Sequence, residues 1–311
     1  MIDLLKDSSN KTGLAAIGIA PAIDEVIGQF PWAKSVVCAA ISYLAPEVEA
    51  DCGPISTGLV ARFARSVDYH RVLRAKLQLV TDAVLRMHPD ARTTVCVDTC
   101  PLPERKLAVL SGIARPGKNG NVFVDGYGSW VVLGEIVTDL PLRCDAQPQK
   151  SICGKCTICI DSCPANAIKQ EGIIDRTRCI SALTQSSGAI DEQHREMIGN
   201  RIYGCDTCQQ VCPHNKGIQP TSPEFAVNTF PGKSPELIGL INLTRSDFNN
   251  IVAKSSIGWM RRTRIRRNAA IAAGNINCEA ACPALIEMLA DENAVLREAA
   301  QWAINKIRCG S

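Results

Sequence analysis

Residues 153–168, CGKCTICIDSCPANAI, place four cysteines at spacings of three, three and four, with a proline directly after the fourth. Residues 203–215, YGCDTCQQVCPHN, supply three more cysteines and a second Cys-Pro. Thiolates in this pattern must wrap an inorganic group. In a C-x2-C-x2-C-x3-C-P run, a tight loop gives three thiolates to one iron–sulfur cubane while the fourth reaches the other. The crossing groups Cys153, Cys156 and Cys159 with Cys212 around one [4Fe-4S] cluster, and Cys163 with Cys205 and Cys208 around the second. That second set lacks a ligand, and Cys179 in DRTRCIS is the natural candidate. Zinc is the competing reading, but zinc sites call for two CxxC pairs and not for a crossed Cys-Pro pattern.

The chain has 16 cysteines among 311 residues. Its start has neither a basic end followed by an apolar run nor a twin arginine, so a secreted disulfide framework is not expected. No apolar stretch reaches the ~18 residues that a membrane span needs. A cytoplasmic protein with metal-binding cysteines is expected. The other cysteines (Cys38, Cys52, Cys96, Cys100, Cys144, Cys278, Cys282 and Cys309) follow no ligand spacing and read as small buried hydrophobes. A net charge of +3 announces no nucleic-acid binder globally, so any basic surface must be local.

Paired clusters move single electrons to something else. A free-standing ferredoxin needs only ~60–80 residues, so the rest of the chain must hold the acceptor. Residues 1–145 read as an α/β domain: 35–44, 93–99 and 130–138 as strands, and 68–87 as an amphipathic helix. Residues 146–218 form the two-cluster, ferredoxin-like domain. Residues 219–311 combine a proline-rich linker (219–235) with a helical tail. In the tail RRNAAIAAGNI aligns with LREAAQWAINKI thirty residues on, pairing Arg267 with Arg297, Ala269 with Ala299, Ala270 with Ala300 and Asn275 with Asn305. Units of this kind bury a face by stacking on a neighbour. MRRTRIRR offers Arg261, Arg262, Arg264, Arg266 and Arg267 for RNA phosphates, against the plain reading of a solvated charge run.

No dinucleotide or Walker fingerprint is present, and His70, His88, His194 and His214 are scattered, read as surface or structural residues. Asp98 stands at a strand end, where α/β proteins place ligands; capping of the helix in PLPERKLAVL is the alternative. Glycines at 112, 117, 120, 126, 128 and 134 imply close backbone approach to something.

The segments VDTCPLPERKLA, GKNG, YGSWVVLGEI, CGKCTICIDSCPANAI, RCISALT and IGNRIYGCDTCQQVCPHN resemble, in order and spacing, the epoxyqueuosine reductase family. The resemblance implies a nitroreductase-like corrinoid domain, two [4Fe-4S] clusters and a HEAT-like tail that contacts tRNA. It implies cobalamin-dependent reduction of epoxyqueuosine to queuosine in the tRNA anticodon loop by a monomer, with ferredoxin or flavodoxin as donor. Asp98 would supply a proton, its pKa raised by burial beside the corrin. Gly117, Lys118, Asn119, Tyr127, Ser129, Trp130, Ser181, Asp206 and Gln209 would line the cofactor. The family's usual glycine is replaced by Cys100, and Arg115 and Pro116 stand where it usually carries an aromatic. A corrinoid reductase acting on another substrate, as reductive dehalogenases do, and a non-catalytic electron carrier are the alternatives.

Overall fold

Residues 35–42 are apolar on both faces, and such a strand needs cover on both sides. The computed structural model supplies it; it describes residues 11–46, 56–144, 146–226 and 230–309. Cys52, the first ten residues and part of the proline-rich linker lie outside the described residues, as does the Cys309 side chain. The strands β1 (Ala16–Pro21), β2 (Ser35–Ser42), β3 (Thr93–Cys96) and β4 (Val131–Thr138) form a sheet in the order β1-β2-β4-β3. Every pairing is antiparallel, so the strand-end rule for parallel sheets does not explain why Asp98 is where it is.

Helix α1 (Tyr69–Met87) lays Leu73, Leu77, Val80 and Val84 on the face formed by Val37, Ala39, Ile41 and Ile136. Asp68 caps its first turn, accepting from the His70 amide at 3.0 Å. Close helix–sheet approach depends on Gly134, where a Cβ would stand 2.8 Å from Leu77. The backbone approach expected at this glycine is thus to the protein's own helix. The opposite face meets α2 (Glu104–Leu110), whose Leu107 packs with Val36, Cys38, Cys96 and Val137.

The tail helices α3 (Arg261–Asn275) and α4 (Ala294–Cys309) pack together, and the aligned alanines 269, 270, 299 and 300 are all buried. Their apolar core does not end at the tail. It runs into Ala165, Ile180, Ile198 and Ile202 of the cysteine-rich region, so the tail leans on that region as well as on itself.

Two arginines assigned to RNA are structural, which corrects the sequence reading. Arg267 is 1% exposed and donates to the carbonyls of Ser186 (2.9 Å), Gly188 (2.5 Å), Leu183 (3.3 Å) and Thr184 (3.4 Å). Burial lowers its pKa to about 10. Arg266 bonds the Ile241 carbonyl at 2.7 Å and Asp291 at 2.6 Å. The pattern that marks a basic patch also fits a helix that uses guanidinium forks to satisfy buried carbonyls. Replacing Arg267 with Ala strands those acceptors and should cost about 3 kcal/mol, read as a lower denaturant midpoint at unchanged slope.

Candidate active site

The four thiols Cys153, Cys156, Cys159 and Cys212 line one cavity, together with Asn119, Phe123, Pro213 and His214. A turn closed by the Cys156 amide on the Cys153 carbonyl (3.0 Å) and Gly154 at φ 50 bring the first two cysteines inward. The Lys118 amide donates to Cys153 Sγ at 3.3 Å, so the glycine-rich 117–120 turn belongs to the rim of this cavity. The second set gathers around Cys208. Burial pushes its thiol up to about 12, and Cys205, Cys179, Cys159 and Cys163 add to the shift as neighbours. Cys179 is thus among the thiols that neighbour Cys208, together with Cys205, Cys163 and Cys159 of the other set.

Thiols this close cannot all ionise without a compensating positive group. Among the described residues, no three Cys, His, Asp or Glu side chains close on a single ion. Four thiols facing one another in the crossed Cys-Pro pattern are the donor set of an iron–sulfur cubane.

The cysteine-rich region is fastened to the sheet by a buried polar network. Gln209 Nε2 donates to the Ser129 carbonyl (2.8 Å), to Ser129 Oγ (3.0 Å) and to Tyr43 Oη (3.0 Å). Asn215 accepts from the Ser129 amide (2.8 Å) and donates to Ser129 Oγ (2.8 Å). Gly128 is required here, since its Cβ would meet Asn215 Oδ1 at 2.3 Å. Trp130 is buried edge-on to Tyr43 and beneath the Arg62 guanidinium, 5.1 Å from its ring. Asp206 accepts from the Arg62 amide at 2.7 Å, and its Oδ1 is buried without a partner.

The remaining cofactor candidates sit apart from this seam. Lys118 Nζ pairs with Glu171 at 2.9 Å, and Asn119 donates to the Cys208 carbonyl at 3.4 Å. A Cβ on Gly117 would strike Phe123 at 2.4 Å. Tyr127 packs half-buried beside α2, and Ser181 Oγ accepts from Gln185 at 3.2 Å.

Asp98 occupies the loop between β3 and α2 at φ 54. It does not cap α2; its amide instead donates to Glu104 Oε1 at 2.8 Å. Its Oδ2 accepts from Tyr69 Oη at 2.5 Å and lies 3.6 Å from His70 Nε2. His70 Nδ1 is 2.6 Å from Asp68. This arrangement reverses the expected direction of the Asp98 shift. The bond to His70 holds its carboxyl below the usual range, burial opposes that, and Tyr69 reinforces it. His70 rises to about 9, through Asp68 first and then Asp98. The raised carboxyl of the group is Glu104, pushed up to about 7 by burial, a shift reinforced by the Asp98 charge and opposed by the bond from the Asp98 amide.

Tyr69 and Glu104 read from sequence as helix residues and His70 as a surface or structural residue, so their meeting at Asp98 goes beyond that reading.

The geometry has counterparts among known proteins. Residues 152–215 match the family described as "4Fe-4S double cluster binding domain", and residues 26–99 match "Epoxyqueuosine reductase QueG, DUF1730". The epoxyqueuosine reductase of Bacillus subtilis (strain 168) is 39% identical over 284 residues, 89% of this chain and 72% of that protein. A solved epoxyqueuosine reductase in complex with an epoxyqueuosine-modified tRNA-Tyr stem loop is 33% identical with TM-score 0.87, covering 98% of this chain and 89% of that one. A B. subtilis structure, described as having its catalytic aspartate loop swung out of the active site, is 32% identical with TM-score 0.86 over 98% of this chain and 90% of that one.

The His70–Asp98 pair has a definite pH window. A raised histidine pKa contributes stability fully below 6.5 and loses it as pH climbs through about 9. A lowered Asp98 pKa contributes above 3.8 and loses it as pH falls through the folded value. The His70 ring should therefore titrate near 9 by NMR. Asp68→Asn should lower that midpoint further than Asp98→Asn, and a midpoint at the ordinary histidine value would remove the pair.

Proposed function

The chain belongs to the epoxyqueuosine reductase family, and from that premise we propose that it reduces epoxyqueuosine in the tRNA anticodon loop to queuosine. One observation carries the reading: the cysteine-lined cavities and the Asp98–His70–Tyr69 group share one frame. Gln209, beside Cys208, is bonded to Ser129 of the sheet domain. In this reading, electrons arriving at the clusters are delivered into the same frame that carries the Asp98 group.

In this reading residues 1–145 are a nitroreductase-like corrinoid domain, 146–218 a two-cluster ferredoxin-like domain, and 219–311 the linker and HEAT-like tail. One cluster takes Cys153, Cys156, Cys159 and Cys212; the other takes Cys163, Cys179, Cys205 and Cys208. Cobalamin belongs at the seam, where Asp206 Oδ1 offers a buried acceptor with no protein donor, near Ser129, Trp130 and Gln209. Bound there, it would supply a low-potential metal centre able to give electrons to an epoxide carbon.

The protein's own part is the proton. Opening an epoxide reductively leaves an alkoxide, which must be protonated. Asp98 is a carboxylate at neutral pH, so the mobile proton rests on His70 Nε2, 3.6 Å from Asp98 Oδ2. Asp98 relays it, and Tyr69 Oη keeps the relaying oxygen oriented. Gly117, Lys118 and Asn119 act at the first cluster instead; an amide donated to a ligating sulfur tunes its potential.

For RNA, the reading keeps Arg261, which is exposed, and Arg264, which lies 5.7 Å over the ring of Trp259. Trp259 is itself 52% exposed. An arginine–aromatic pair suits phosphate and base together. Arg262 already donates to the Leu243 carbonyl at 2.9 Å and takes a lesser share. The protein would work in the cytoplasm as a monomer, fed by ferredoxin or flavodoxin. No helix among the described residues is long and apolar enough to cross a membrane.

Mass spectrometry of nucleosides is the decisive assay. Incubating epoxyqueuosine-containing tRNA with holoenzyme and reductant should yield queuosine. Asp98→Asn should cut turnover by about 100-fold or more, the usual range for a lost acid, and leave the cofactors bound; unchanged turnover removes Asp98 from the reaction. In a salt titration of tRNA binding, Arg261→Ala with Arg264→Ala should make the log–log slope shallower by about two.

A further inference from the structure

Two cysteines bracket Asp98. Cys96 ends β3 and is fully buried; Cys100 is half-buried. Both were expected to be free, yet their sulfurs are bonded, with Cα atoms 5.6 Å apart. The bond closes a five-residue ring with Asp98 at its centre, anchored at one end in the sheet. On the far side of Cys96 lies a second anomaly. Glu135 of β4 stands opposite Cys96 in one pairing and opposite Cys38 in the other, so all three side chains point to the α2 face. Glu135 is 0% exposed, and neither of its carboxyl oxygens has a partner. An unpartnered carboxyl inside a sheet is costly, and the reaction described above makes no use of it.

We propose that Cys96 and Cys100 form a reversible dithiol–disulfide pair that pins or releases the Asp98 loop, with Glu135 as the buried proton partner of Cys96. The inference rests on the reading of Asp98 as the residue that passes the proton to substrate. The reductant is a cellular dithiol. Its thiolate attacks the accessible Cys100 sulfur, the Cys96–Cys100 bond breaks, and Cys96 departs as a thiolate into an apolar pocket. Glu135 protonates that thiolate and regains its own proton from solvent. The second thiol of the reductant then displaces Cys100, which is protonated in turn. Two electrons and two hydrogens have passed to the protein, and the reductant leaves as its disulfide.

Glu135 suits this role because burial keeps it neutral, aided by the charges of Glu104 on α2 and Asp98 on the loop. Cys38 also faces it, and burial keeps that thiol protonated. The B. subtilis relative is described with its catalytic aspartate loop swung out of the active site. With the ring closed, Asp98 stays against Tyr69 and His70; with it open, residues 97–103 gain freedom to admit substrate and release product.

Holoenzyme prepared anaerobically and poised across a dithiol redox series tests this. Differential alkylation and peptide mass spectrometry should show one two-electron transition joining Cys96 to Cys100. Amide exchange over residues 97–103 should quicken at least tenfold on reduction. With flavodoxin feeding the clusters, turnover of the oxidised form should be at least tenfold below that of the reduced form. Cys100→Ser should exchange rapidly at every poise, and its turnover should no longer respond to dithiol. Glu135→Gln should slow disulfide reduction and flatten its pH profile. A Cys96–Cys100 peptide never found bonded, or exchange over 97–103 identical in both states, overturns the proposal. An Asp98→Asn variant with full turnover would sink the proton-relay reading instead, and the exchange measurement would still decide the tether.

Discussion

The structure depends on thiols gathered where several thiolates would repel one another unless a positively charged inorganic group sat among them. Cys212 returns to the cavity begun by Cys153, Cys156 and Cys159, and Cys179 comes from a separate stretch to stand near Cys208. Each cradle is thus closed by residues distant in the chain. Metal loading and tertiary folding are coupled by that topology, as they are wherever a binding site exists only in the folded state. The segments between the cysteines are fixed as a consequence, including the helix after Cys179 on which the tail docks.

Toward the sheet, the cysteine-rich region is joined by polar contacts. Ser129, Gln209, Asn215 and Tyr43 form a buried network in which nearly every group has a partner. Networks satisfied to this degree specify a single arrangement. The result is a short, rigid route from the cysteine cavities to the sheet that carries Asp98. The cysteine-rich region and the sheet therefore share one frame, and neither could shift without breaking these contacts.

The chemistry was legible where it is written as spacing. The double-cluster domain, the strands at 35–42 and 131–138 and the helix at 69–87 all follow from periodicity or pattern. What escaped was contact between elements. Nothing in the sequence says that Tyr69 and His70 meet Asp98, so burial alone suggested a raised carboxyl pKa, while the neighbours lower it. The antiparallel sheet was hidden for the same reason, since alternating strand and helix segments do not declare strand direction. Arginine is ambiguous in principle: Arg261 and Arg267 look alike in a string, yet one faces solvent and the other is sealed among carbonyls. Cys96 and Cys100 show that four-residue spacing without a motif still deserves a pairing hypothesis when a turn intervenes.

The inward fork of Arg267 has a consequence for how such proteins can be rebuilt. Its carbonyl partners, Leu183, Thr184, Ser186 and Gly188, follow directly on Cys179. A chimera that grafts another helical appendage onto this chain would therefore have to import a matching cation at that depth. Without it, the transplant would unseat the turn beside a sulfur ligand, and the damage would surface as faulty cofactor assembly in a region the graft never touched.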